Sequence, residues 1–122
     1  METLVNCKNI VDIWLIDKIS GGNRVFEIEF TSDDKKKYKF YLDDVWDMRI
    51  AVENAFLERE WRRNVEQTSS ILLVQNSEYI KYFEGQICET YPTDELKHYI
   101  LFDKIDTVIE FLTLKEPVLT RV

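Results

Sequence analysis

Residues 44–64, DVWDMRIAVENAFLEREWRRN, decide how the rest of the chain is read. Trp46, Ile50, Leu57 and Trp61 recur there at spacings of four, seven and four. At about 100° per residue they fall in one stripe, which Val52 and Phe56 widen. Glu53, Glu58, Arg59, Arg62 and Arg63 fall mostly elsewhere. Asp43, Asp44 and Asp47 gather at the start, where free backbone N–H groups favour negative charge. The three arginines gather at the end, where exposed carbonyls favour positive charge. The pattern predicts one long helix. Such a helix is marginal alone in water, so its aromatic stripe needs a surface to lie on, most simply a sheet.

Strand patterns stand on both sides. Upstream, residues 10–19 (IVDIWLIDKI) alternate with apolar residues on both faces, which suits a strand covered on each side. Ser20-Gly21-Gly22-Asn23 reads as a turn. In residues 24–31, Phe26, Ile28 and Phe30 point one way and Glu27 and Glu29 the other. In residues 37–42, Tyr38, Phe40 and Leu42 point inward, and Lys37, Lys39 and Tyr41 outward. Glutamates of one strand therefore face lysines of the next, a pairing that helps to fix register. Residues 10–42 are predicted as a three-stranded antiparallel meander.

Downstream, the apolar run ILLVQ at 71–75 predicts a buried strand. Asn76 or Ser77 caps a second, shorter helix over 78–84, and Gly85 ends it. Residues 98–102 and 107–114 flank a polar tetrapeptide and predict a hairpin. Residues 105–114 could instead start a helix at Asp106, but their β-branched content favours strand. Pro117 interrupts the chain, and 118–122 is predicted as an edge segment. The order is β-β-β-α-β-α-β-β. The predicted class is α+β: a mainly antiparallel, twisted sheet, or a partly closed one, with the long helix on one face. Residues 1–122 are read as one domain, since no linker, repeat or low-complexity tract divides them.

Composition narrows the function classes. The chain carries 23 acidic and 16 Lys and Arg residues, a formal net charge of −7. That field repels phosphate backbones, disfavours a nucleic-acid partner and attracts a basic protein. No apolar window approaches the roughly 20 residues of a membrane span, and residues 1–20 show no secretory pattern. Cys7 and Cys88 are far apart and in no CxxC pair, as expected of reduced thiols in a cytoplasmic protein.

No motif specifies a reaction, a metal or a cofactor. Asp43, Asp44 and Asp47 lack the spacing of a calcium loop, and capping accounts for them. Gly21-Gly22 lacks the phosphate-loop pattern. His98, the sole histidine, has no sequence-local ligand or base partner. The enzymatic alternative places His98 at the wall of an acidic pocket. More suggestive are Glu78, Tyr79 and Tyr82 on the short helix, with Glu89, Tyr91 and Asp94 in the loop after it. Tyrosines among acids suit a surface for a basic partner, unless Tyr79 or Tyr82 completes the core. A third reading is a self-associating module, a homodimer built through a sheet edge such as 118–122.

Ile71-Leu72-Leu73-Val74, Asn76-Ser77-Glu78-Tyr79-Ile80, Lys97-His98-Tyr99-Ile100, Val108-Ile109-Glu110 and Glu116-Pro117 together resemble small cytosolic bacterial proteins of unknown function, some regarded as immunity proteins for polymorphic toxins. The likeness spans residues 70–118. It implies a non-enzymatic protein that binds and blocks a toxin, and it carries over no catalytic residue.

Overall fold

A computed structural model gives the fold, and residues 3–6, 11–52, 70–86 and 95–122 are described. The elements are β1 (Thr3–Asn6), β2 (Ile13–Gly22), β3 (Val25–Ser32), β4 (Lys37–Leu42), β5 (Val45–Val52), β6 (Ile71–Gln75), α1 (Glu78–Glu84), β7 (Lys97–Phe102), β8 (Thr107–Thr113) and β9 (Val118–Arg121). They form two antiparallel sheets. The first has the strand order β1-β6-β7-β8-β5 and the second β2-β3-β4-β9.

The predicted meander is present as β2-β3-β4. Its first turn is Asn23-Arg24, with φ of 53° and 69°. This left-handed pair matches the twist of a two-residue hairpin. Gly21 before it has φ 140°, and a Cβ there would stand 2.2 Å from the Val25 carbonyl oxygen, so the position admits only glycine. Glu29 lies opposite Lys39, and Lys39 Nζ reaches Glu27 Oε1 at 3.4 Å. The inward residues Ile28, Phe30, Phe40 and Leu42 are buried as their alternation requires.

The long helix is not found over the described part of residues 44–64. Val45–Val52 is a strand, paired with β8 from Val45↔Thr113 to Val52↔Thr107; residues 53–64 lie outside the described residues. A bulge between Val45 and Asp47 interrupts the two-residue period, which puts Val45 and Met48, three apart, on the core side and mimics a helical spacing. Ile50, expected on the buried stripe, is 58% exposed. The aspartates cap no helix at this point. Asp44, with φ 56°, sits in the two-residue link from β4 to β5, where the chain passes from one sheet to the other. It pairs with Arg24 and accepts from Trp46 Nε1 at 3.2 Å. Asp43 pairs with Lys115 at 3.0 Å, a bond that holds its carboxyl below the usual range. The architecture is therefore two packed sheets rather than one, and the described residues contain the single short helix α1, capped at Ser77 and ended at Gly85 as expected.

The main core lies between the sheets. Ile28, Phe30, Phe40 and Leu42 meet Ile71, Tyr99, Leu101, Ile109 and Phe111. The other face of the first sheet is buried as well. Leu72, Val74, Ile100, Phe102 and Val108 form one cluster, and Leu112 joins Tyr79 of α1 in another. Burial on both faces explains the unbroken apolar runs of β6 and β7.

The sheets are also joined by backbone. Asp103, 7% exposed in the β7–β8 turn, accepts at Oδ1 from the N–H groups of Ile105, Asp106 and Thr107 at 3.1, 2.9 and 2.8 Å. Its Oδ2 accepts from Ile16 N of β2 at 3.1 Å. Ser70 Oγ accepts from Ile13 N at 2.9 Å, and Lys104 N donates to the Trp14 carbonyl at 3.0 Å. The β2 edge is thereby occupied by the turn of the other sheet. The edge role predicted for 118–122 holds, with β9 pairing β4 at the rim of the second sheet.

Candidate functional site

A buried polar cluster lies where α1 crosses the outer face of the first sheet. Adjacent strands bring two residues of this face together: His98 stands opposite Leu112, and Glu110 opposite Ile100, two pairs along the ladder. His98 Nε2 lies 2.9 Å from Glu110 Oε1, and His98 Nδ1 lies 2.7 Å from Ser77 Oγ. His98 is fully buried, and Ser77 and Glu110 are each 4% exposed. With Nε2–H donating to the carboxylate, Nδ1 is left to accept the serine hydroxyl proton. Ser77 Oγ also accepts the Ile80 N–H at 3.0 Å, so one hydroxyl caps α1 and binds the imidazole.

A hydroxyl, an imidazole and a carboxylate in this order have the connectivity of a nucleophilic triad. Burial sets them apart from one. Both ring nitrogens of His98 are engaged, and no part of its surface meets solvent. An open groove of about 440 Å³ passes Ser77, lined also by Leu73, Val74, Asn76, Ile80 and Lys97; His98 is not among its lining residues. What this arrangement does is fasten: it ties α1 to β7 and β8, with both imidazole nitrogens and the serine hydroxyl engaged.

Beside it the cluster reaches the surface. The Tyr79 ring meets the His98 ring edge-on, with centroids 5.0 Å apart. Its hydroxyl donates to Asp47 Oδ2 at 2.8 Å. Burial, then the hydrogen bond to Asp47, push the Tyr79 phenol far above its usual range. The Arg49 guanidinium lies over the Tyr79 ring at 3.8 Å and 5.6 Å from the Tyr82 ring centroid. Tyr82 is 62% exposed. One arginine thus bridges a core tyrosine and a surface tyrosine.

The predicted surface residues separate accordingly. Tyr79 completes the core and Tyr82 stays outside. Glu78 is exposed in the first turn of α1, 3.4 Å from Lys81. Glu89, Tyr91 and Asp94 lie outside the described residues, as do Cys7 and Cys88. Sequence reasoning missed Ser77–His98–Glu110 as a unit, and it missed Arg49. A signal for Glu110 was present: it is the lone charge in the apolar strand TVIEFLT and needs a partner when that strand is buried.

Among the described residues, no group of three His, Cys, Asp or Glu is placed to hold a metal ion. No helix among them is long and apolar enough to cross a membrane. No family model matches the chain, and neither a curated protein nor a solved structure matches it significantly.

Proposed function

We propose that the chain is a non-enzymatic, acidic protein-binding module of the cytoplasm, acting as an immunity-type protein that occludes a basic partner such as a toxin. The observation that carries this reading is Tyr82. It is a large aromatic left 62% exposed, beside Arg49, on a helix whose Glu78 and Glu84 are also exposed. Tyrosine and arginine are the residues that anchor protein interfaces, and the pair is fixed in place by the buried Tyr79 beneath it. The net charge of −7 adds steering toward a basic surface. The sealed state of His98 supports a structural use of the imidazole over the enzymatic alternative.

The test is protection by co-expression. The chain is produced together with the basic protein encoded beside it in its source genome, as wild type and as Tyr82→Ser. Protection by the wild type and its loss in a folded Tyr82→Ser support the reading. Equal protection by both removes the surface from it, and no complex at low salt removes the function.

A further inference from the structure

We infer that β9 is a homodimerisation edge, pairing antiparallel with β9 of a second copy so that two four-stranded sheets become one of eight. This surface is separate from Tyr82 and goes beyond the reading above.

The second sheet has two edges, and they differ. The β2 edge carries two register shifts, and its backbone is engaged by Ser70, Asp103 and Lys104. Bulges and cover of this kind are how sheets close an edge. β9 runs against β4 with no register shift and has no other strand neighbour among the described residues. Val122 N donates to the Lys37 carbonyl at 3.1 Å. Antiparallel ladders alternate, so Thr120 and Val118 also turn their backbone groups toward β4. Leu119 and Arg121 then turn theirs outward.

That edge is complementary to itself. About a two-fold axis through Thr120, Leu119 of one copy faces Arg121 of the other, and each such pair exchanges both of its backbone hydrogen bonds. On the outer face Val118 meets Val122, which are 52% and 67% exposed. Two large apolar side chains that a lone copy leaves in water are thereby brought together. No like charges stand directly opposite, since each Arg121 faces a leucine. The nearby lysines are already paired, Lys37 with Asp17 at 3.2 Å and Lys39 with Glu27 at 3.4 Å.

Sedimentation equilibrium of the full chain tests this with two variants. Arg121→Pro removes an N–H that points away from β4, so it blocks the new ladder and leaves the old one whole. The expected result is a wild-type monomer–dimer equilibrium that Arg121→Pro weakens at least about tenfold. Each copy carries −7, so dimerisation should strengthen as salt rises from about 0.05 to about 0.5 M, opposite to binding of a basic partner. In a Cys7→Ser, Cys88→Ser background, Thr120→Cys should oxidise to a covalent dimer. Thr120 meets its mate in the non-hydrogen-bonded position, with Cα atoms about 4.5 Å apart, inside the disulfide range of about 4.4–6.8 Å. Val118→Cys, facing Val122, should not. A monomer at the highest attainable concentration overturns the inference, as does equal cross-linking by Val118→Cys. If Arg121→Pro fails to fold, the cross-linking pair decides alone.

Discussion

Asp103→Ala should be among the most damaging single changes at a residue with no apolar contact to lose. The carboxylate receives four backbone N–H groups, three in its own turn and one, Ile16 N, from the opposite sheet. The turn donors adjoin exposed residues 104–106, so water can replace part of what they lose. Each then costs about 1 kcal/mol, whereas Ile16 N, at a half-buried junction, costs about 1–2 kcal/mol when orphaned. The sum is roughly 4–5 kcal/mol, against a total stability of about 5–15 kcal/mol for a domain. Asp103→Asn separates the contributions. Its one carbonyl oxygen can still serve the three turn donors, but the amide nitrogen then confronts Ile16 N–H, donor against donor. Its loss should be about 1–2 kcal/mol. Urea unfolding followed by tryptophan fluorescence reads both. At a slope of about 1.5–2 kcal/mol per M, the alanine variant should lose roughly 2–3 M in midpoint and the asparagine variant less than half of that. Equal shifts for the two variants, or a loss under about 1 kcal/mol for alanine, would refute the picture of one carboxylate joining turn and sheet.

Three further outcomes follow from the structure. Ser77→Ala removes both the cap of α1 and the hydroxyl on His98 Nδ1, and should cost about 2–3 kcal/mol in the same assay; a loss near zero would mean that the hydroxyl does not hold the helix. Tyr79 stays protonated in the fold, whereas in the unfolded chain it ionises near pH 10, so its contribution is complete below about pH 10 and lost as pH rises above it. Relative to Tyr79→Phe, wild-type stability should fall by up to about 1.4 kcal/mol per pH unit in that range, and parallel curves would contradict the burial of the phenol. Gly21→Ala meets the Val25 carbonyl and a φ of 140°, and should lower stability by at least about 2 kcal/mol, measurable as a lower melting temperature; an unchanged melting temperature would mean that the hairpin relaxes freely.

Where each side chain's orientation followed from its immediate neighbours, the sequence was readable. Phe26 to Phe30 and Tyr38 to Leu42 alternate without interruption, and both strands lie where the alternation puts them. Ser77, with Gly85 eight residues on, delimits α1, and the β-branched residues of 107–113 decide for strand over helix. The reading failed at Val45–Val52 because a bulge added one residue to a period of two. The adjoining aspartates reinforced the error, since acids before an apolar run look alike at a helix start and at a corner between sheets. That corner is also why two sheets read as one: Asp43 and Asp44 are too short a link to suggest a change of layer. His98 and Glu110 are twelve residues apart and meet only through the β7–β8 register, which no local pattern specifies. Tyr82 was legible as a candidate surface tyrosine, with a place in the core left open as the alternative. Arg49 beneath it was not, because a residue assigned to a helix could not be placed on the neighbouring strand.

The pairing of β4 with β9 also bears on how the chain is made. β3 is available to β4 as soon as the first hairpins leave the ribosome, whereas Val118–Arg121 is synthesised some eighty residues later. Through that interval the nascent meander exposes the flank of β4 that β9 will later occupy, in a topology whose remaining contacts are mostly distant in sequence and slow to close. Truncated or stalled products that lack the last strand carry this bare flank permanently, and they should be the aggregating species in any expression culture.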